Sequence, residues 1–404
     1  MKKIIRLFLL FLVIINVKVV NAIEFDISAD NVILYNLNDN KVLYELESEK
    51  SVNVASLTKI MTAIVAIENI EDLNKEVVVT KNAFNGISEY SKMGLQVGNV
   101  VTYRDLLYGI LLPSGADAVN VMALNLSGSI SSFVDLMNNK VTELGLSGTH
   151  FDNPIGMDSE NNYSTAKDVS KILLYALENE TFKEIFYTRE YIVPSLNKTI
   201  KSTLIGYSKN MGLDVDNITG AKSGFTDGAG LCLASVANYD DVEYLLVVMG
   251  SDINNRGNAV KDTLEIYEYY SGNYSYRKIV TKDDVVKKLD VKFGKEDTYE
   301  IKNKDDVYLY LENSLRRNRI KYIYEGIEEL NYLIKKGTKL GTVRVEYEGE
   351  LLTSYDVYLD EELDYYHPGV YALIVLLFLI MVISFSKIRR NKTKKRRKRR
   401  KSRR

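Results

Sequence analysis

Cysteine and histidine are nearly missing from this chain: one Cys, at 232, and two His, at 150 and 367, in 404 residues. One cysteine cannot close an intramolecular disulfide, so stability has to come from a packed core. Cys232 lies in an apolar run, residues 231–237, and reads as a small buried hydrophobe. The two histidines are too few and too far apart for a His-based zinc site, and they leave a Ser-His-Asp triad only His150 to draw on. A serine nucleophile in this chain therefore needs another base. Internal repeats and Gly/Ser-rich linkers are missing too, and the 29 tyrosines are spread too evenly to mark a sugar-binding platform.

The small net charge of −1 hides a strong asymmetry. Residues 387–404 hold 14 Lys and Arg and no acid, and residues 1–22 hold four more. Residues 23–386 then carry 35 basic against 54 acidic side chains, a net of −19. An acidic body argues against nucleic acid as its partner. At the start, Lys2, Lys3 and Arg6 precede an apolar stretch over 7–17, and Val20-Asn21-Ala22 offers small residues for cleavage, so residues 1–22 read as a signal peptide. A second apolar run predicts a transmembrane helix over 370–386, with the basic tail 387–404 held in the cytoplasm by the positive-inside rule. Nucleic-acid binding by the tail is the alternative; behind an apolar run the topogenic role is favoured. Both ends place residues 23–366 on the extracytoplasmic side of the cell membrane, as a single-pass protein anchored at its C-terminus.

Between these ends, two strand-like runs, 31–37 and 41–46, flank Asn38-Asp39-Asn40 and read as a hairpin. Helical patterns cover 56–68, 105–112, 116–126, 130–144, 165–177 and 258–270, and strands are expected at 76–80, 231–237 and 243–250. Alternating stretches from about Arg277 to Asp364 predict a small all-β domain. The predicted order is a catalytic domain over 23–276, a β-rich domain over 277–366, the span and the tail.

The chemistry centres on Val54-Ala55-Ser56-Leu57-Thr58-Lys59-Ile60-Met61-Thr62-Ala63. Leu57, Ile60, Met61 and Ile64 recur at helical spacing, which predicts one buried face and puts Lys59 a turn from Ser56. A serine hydroxyl needs a base within hydrogen-bond reach. A lysine serves only if its pKa falls well below about 10.4. Two further elements follow. Ser114, on the turn Pro113-Ser114-Gly115, is placed to pass a proton to a leaving amine. Lys222, in Thr219-Gly220-Ala221-Lys222-Ser223-Gly224-Phe225, supplies a cation for a substrate carboxylate, with the Ser223 hydroxyl as a second donor. Gly224 lets a substrate backbone come close, and the N–H groups of Ser56 and Phe225 are candidates for an oxyanion hole.

Three such elements in this order resemble the serine-type D-alanyl-D-alanine carboxypeptidases, the low-molecular-mass penicillin-binding proteins of peptidase family S11. The matching strings are Ala55-Ser56-Leu57-Thr58-Lys59, Leu112-Pro113-Ser114-Gly115-Ala116-Asp117 and Gly220-Ala221-Lys222-Ser223-Gly224-Phe225-Thr226-Asp227, with Thr149-His150-Phe151-Asp152-Asn153-Pro154 and Tyr163-Ser164-Thr165-Ala166 between them. The resemblance implies an α+β, β-lactamase/transpeptidase-like catalytic domain, an antiparallel sheet with helices, followed by a membrane-proximal β domain acting as a spacer. It implies catalytic Ser56, Lys59 and Ser114; substrate-binding Lys222, Ser223, Gly224 and Phe225; and no metal and no cofactor. Peptidoglycan stem peptides ending in D-Ala-D-Ala are the implied substrate, and β-lactams the implied covalent inhibitors. Two positions depart from the pattern: Ala116 replaces the usual Asn, and Ser223 the commoner Thr. Asn120, a turn beyond Ala116, is a candidate replacement for the lost amide, though an ordinary helix position fits it better; His150 fits loop ordering better than catalysis. A β-lactamase of the same fold and a weakly catalytic penicillin-binding scaffold are the alternatives.

Overall fold

The computed structural model describes residues 25–366 and 368–401. The predicted signal peptide and His367 lie outside them. The chain divides into two units, Met1–Gly272 and Asn273–Arg404.

The first unit opens with the hairpin β1 (Asn31–Asn36) and β2 (Lys41–Leu46). Its turn is made locally: the Asn36 side chain accepts the N–H groups of Asn38 and Asp39 at 2.9 and 3.2 Å, and Asn40 takes a φ of +50°. Helix α1 (Thr58–Asn69) follows, then the ribbon of β3 (Glu76–Val78) and β4 (Val100–Thr102). Four helices come next: α2 (Tyr103–Leu111), α3 (Ala116–Ser127), α4 (Ile130–Glu143) and α5 (Ala166–Leu177). Thr102 and Asp105 form a reciprocal capping box that starts α2, and Thr165 caps α5.

After α5 the chain forms elements that the hydropathy pattern did not announce: α6 (Glu180–Phe186), the hairpin β5 (Glu190–Val193) and β6 (Lys198–Lys201), and α7 (Thr203–Met211). They are too short for a periodic signal, and the caps Asn179 and Ser202 define the two helices. Strands β7 (Ile218–Thr226), β8 (Gly230–Tyr239) and β9 (Val242–Ser251) and helix α8 (Asn258–Asn273) close the unit.

The antiparallel sheet runs β2-β1-β9-β8-β7, so the two ends of the unit meet at its middle and β7 is left at an edge. β8 and β9 are buried along nearly their whole length because both sheet faces are covered. One face, with Ile33, Cys232, Ala234, Leu245 and Val247, packs into the helical core. On the other, Tyr267 of α8 bonds the Ser235 hydroxyl at 3.0 Å. Helix α1 departs from the expected single buried face: from Thr58 to Ala66 every residue is buried, Lys59 and Thr62 included. The reason is its central position, with α2, α3, α4, α5 and α6 all packed on it.

The second unit contains β10 (Tyr274–Val280), β11 (Val285–Val291), β12 (Thr298–Lys302), β13 (Val307–Glu312), β14 (Ile320–Gly326), β15 (Glu329–Leu330), β16 (Lys339–Tyr347) and β17 (Glu350–Tyr358). They form small sheets around a core that includes Leu289, Ile301, Leu340, Val343 and Val357. Helix α9 (Pro368–Lys401) carries the apolar run and continues without a break into the basic tail. Its segment Gly369–Arg396 is long and apolar enough to cross a membrane.

Candidate active site

Ser56 sits in a single 3₁₀ turn, Ala55–Leu57, that leads into α1. The helix proper begins two residues later than its hydrophobic spacing suggests. The turn is tight: Ala55 takes a φ of +44°, and the Leu57 N–H donates to the Val54 carbonyl at 3.1 Å. From the first turn of α1, Lys59 Nζ reaches back to Ser56 Oγ at 2.9 Å and donates to the Ile155 carbonyl at 2.6 Å. Lys59 is 1% exposed. Burial pulls its pKa down to about 7, against the opposing pull of the Asp117 carboxylate.

The carbonyl that receives Lys59 belongs to a loop built for the purpose. Asn153 Oδ1 accepts the N–H groups of Gly156 and Met157 at 2.8 and 2.9 Å, and Thr62 of α1 donates to the Pro154 carbonyl at 2.7 Å. Gly156 has a φ of +86°, and a Cβ there would lie 1.8 Å from the Ala55 carbonyl oxygen. Gly156→Ala is expected to lose roughly 3 kcal/mol of stability and to displace the Ser56 turn. Thermal denaturation alongside penicillin labelling checks this; a variant with unchanged Tm and labelling rate would contradict it.

Ser114 lies in the turn between α2 and α3, 5% exposed, at a φ of +62° that residues with a side chain seldom adopt. The turn is pinned by two backbone bonds, Gly115 N–H to the Gly109 carbonyl and Ala116 N–H to the Ser91 carbonyl, both 2.8 Å. Lys222 is fully buried on β7, opposite Ala234 of β8. Its Nζ donates to Ser114 Oγ at 2.9 Å and to the Ser223 carbonyl at 2.7 Å. Burial, and then the neighbouring Lys59, hold its pKa well below the ordinary lysine value. Gly224 faces the Ser56 turn so closely that a Cβ on it would lie 3.0 Å from the Ser56 nitrogen. Phe225 is 43% exposed at the end of the strand, with the Arg256 guanidinium 5.8 Å from its ring centre.

The structure thus brings Ser56, Lys59, Ser114, Lys222, Ser223 and Gly224 to one place. Asn120 is not part of it: its amide donates to the Ala83 carbonyl at 3.0 Å and ties α3 to the 3₁₀ turn Lys81–Phe84 between β3 and β4. Ala116 has no exposed surface. His150 orders a loop, with Nδ1 2.6 Å from the Asn161 carbonyl oxygen. Three contributors carried no role in the sequence reading. The Ile155 carbonyl is backbone and has no letter of its own. Asp117 accepts the N–H groups of Met93, Gly94 and Leu95 at 2.7–2.9 Å; the only signal was an acid in the first turn of α3. Thr203 Oγ1 lies 2.8 Å from Ser223 Oγ. Among the described residues no group of His, Cys, Asp and Glu is arranged to hold a metal ion.

A hydroxyl bonded to a buried lysine of near-neutral pKa can be deprotonated and attack a carbonyl, and a second buried lysine lies beside it. On an α+β scaffold with this sheet, such a site defines a serine–lysine acyl-transfer enzyme of the penicillin-binding fold. The family model described as D-alanyl-D-alanine carboxypeptidase matches residues 17–253, and that of the penicillin-binding protein 5 C-terminal domain matches residues 274–365. The chain belongs to the D-alanyl-D-alanine carboxypeptidase family. It is 28% identical over 340 residues to D-alanyl-D-alanine carboxypeptidase DacF of Bacillus subtilis, covering 83% of this chain and 86% of that one. It is 34% identical over 207 residues to a D-alanyl-D-alanine carboxypeptidase of a Streptomyces strain, covering 48% of this chain and 71% of the relative. The fold is that of penicillin-binding protein 5 from Haemophilus influenzae, with a TM-score of 0.61 at 24% identity over 84% of this chain and 99% of that one.

Proposed function

We propose that Ser56 is the nucleophile with which this carboxypeptidase removes the terminal D-alanine from peptidoglycan stem peptides. Lys59, neutral above a pH of about 7, takes the Ser56 proton as Oγ attacks the carbonyl carbon of the penultimate D-alanine. The oxyanion is met by the N–H groups of Ser56 and Phe225. Ser114 hands its proton to the departing amine and regains the one that Lys59 took from Ser56, the C–N bond breaks, and D-alanine leaves an ester on Ser56 that water hydrolyses. Lys222 and the Ser223 hydroxyl hold the terminal carboxylate, and Gly224 leaves room for the substrate backbone. The observation that carries this reading is the buried Lys59 Nζ 2.9 Å from Ser56 Oγ. Its natural test is a tryptic mass spectrum after penicillin treatment: the adduct is expected on the Ser56 peptide, and an adduct elsewhere overturns the assignment. Release of D-alanine from diacetyl-Lys-D-Ala-D-Ala, faster than penicillin turnover, separates a carboxypeptidase from a β-lactamase of the same fold.

The same proposal includes an anchor. The apolar part of α9 spans the cell membrane, the 14 basic residues from Lys387 onward stay in the cytoplasm, and the first unit works on the extracytoplasmic side. It is supported by the length of the apolar helix and by the charge behind it. Protease added to intact protoplasts should digest the first unit and spare the tail, and a chain ending at residue 366 should leave the membrane fraction; retention of that shortened chain would sink the anchor.

A further inference from the structure

Thr203 begins α7 between two walls of the cleft. Its backbone N–H donates to the Leu112 carbonyl at 3.2 Å, two residues before Ser114. Its hydroxyl lies 2.8 Å from Ser223 Oγ. The Lys222 ammonium has three hydrogens, and two are committed, to Ser114 Oγ and to the Ser223 carbonyl. One N–H is left for an incoming carboxylate, so a second contact has to come from another donor. The Ser223 hydroxyl is the neighbouring candidate, but a serine χ1 has three staggered wells, without the branch at Cβ that restricts threonine. Thr203 supplies that restriction from outside. When its Oγ1–H donates to Ser223 Oγ, the oxygen is held through a lone pair and the Ser223 proton remains free to enter the cleft.

We propose that Thr203 is a positioning residue for substrate: it fixes the Ser223 rotamer so that the Ser223 hydroxyl donates to the terminal carboxylate of the D-Ala-D-Ala end. This rests on the assignment of Lys222 and Ser223 to that carboxylate. The contact is made to bound substrate and to the transition state alike, so its loss raises KM and leaves kcat in place. Steady-state hydrolysis of diacetyl-Lys-D-Ala-D-Ala by the full chain in detergent tests it. Thr203→Val is expected to raise KM about tenfold, the scale of one lost hydrogen bond to a charged group, with kcat within about twofold. In a Ser223→Thr background, where the Cβ methyl does the restricting, the same change is expected to raise KM less than about twofold.

A purely structural role for Thr203 predicts equal losses in the two backgrounds, and that result overturns the proposal, as does an unchanged KM in Thr203→Val. If the valine variant fails to fold, Thr203→Ala decides: it removes the donor and should raise KM by the same factor, and an unchanged KM in it overturns the proposal. Penicillin labelling of Ser56 in the wild type is read in parallel. A wild type that is neither labelled there nor active on the peptide overturns the carboxypeptidase reading of the site, and Thr203 with it; an active wild type with an indifferent valine variant overturns the Thr203 assignment alone.

Discussion

Lys59→Met is expected to abolish turnover and at the same time to stabilise the folded protein. Loss of a general base costs about 10²–10⁴ in rate. The stability gain follows from the depressed lysine pKa. Folding lowers it from 10.5 to about 7, so between those pH values the unfolded chain holds a proton that the native chain has lost. Wild-type stability therefore rises with pH across that window. Below pH 7 both states are protonated and the penalty stands in full, about 5 kcal/mol at 1.36 kcal/mol for each unit. Methionine escapes it, but leaves the Ile155 carbonyl without its donor at roughly 1–3 kcal/mol. The net gain is then about 2–4 kcal/mol near pH 6, shrinking as the pH approaches 10. Guanidinium denaturation of both proteins at pH 6, 7.5 and 9 checks this; parallel stability profiles would refute it. The helix tolerates the penalty because Ile60, Met61 and Ile64 beside it are fully buried, each contributing roughly 1.5–3 kcal/mol. In the wild type, kcat/KM should climb with pH through about 7 as Lys59 loses its proton.

The parts of this site that are short in sequence were readable in it. Ser56 and Lys59 are three residues apart, and a helical turn brings them together whatever the rest of the chain does. The turn at Ser114 is announced by Pro113 and Gly115, and the hairpin β1–β2 by its asparagines. The missing parts are those that only long-range packing makes. Thr62 and Lys59 are polar letters that suggest a solvated face, yet α1 is enclosed, so the same letters become a loop anchor and a buried amine bonded to Ser56 Oγ. The partner of Lys59 is a carbonyl, which sequence does not distinguish. Pairing of β1 with β9 joins the two ends of the first unit, a contact that hydropathy periods do not encode. The short pieces α6, β5, β6 and α7 bring Thr203 to Ser223 through a stretch with no clear period. Asn120, a suitable letter one turn from Ala116, spends its amide on the Ala83 carbonyl, in keeping with the ordinary helix position that fitted it better.

Ser56→Ala is expected to have the largest effect of any single substitution, a loss of about 10⁴-fold or more in kcat, as when a nucleophile that acts in concert with its base is removed. No covalent penicillin adduct should form. The fold should hardly register the change. Alanine removes one bond to Lys59, but the ammonium keeps the Ile155 carbonyl at 2.6 Å, and the turn is held by backbone contacts that alanine retains; stability should shift by no more than about 1 kcal/mol. Lys222, Ser114 and Ser223 are untouched, so the variant should still bind diacetyl-Lys-D-Ala-D-Ala without turning it over. Calorimetric titration of the peptide into Ser56→Ala reads that retained binding, and a further Lys222→Ala change should remove it. Turnover within about tenfold of wild type would mean that the attacking group is some other atom. Loss of both binding and fold would mean that the Ser56 hydroxyl holds the turn together. Retained binding with no adduct and no product is the result that separates the roles, with attack resting on one hydroxyl and recognition on the strand across the cleft from it.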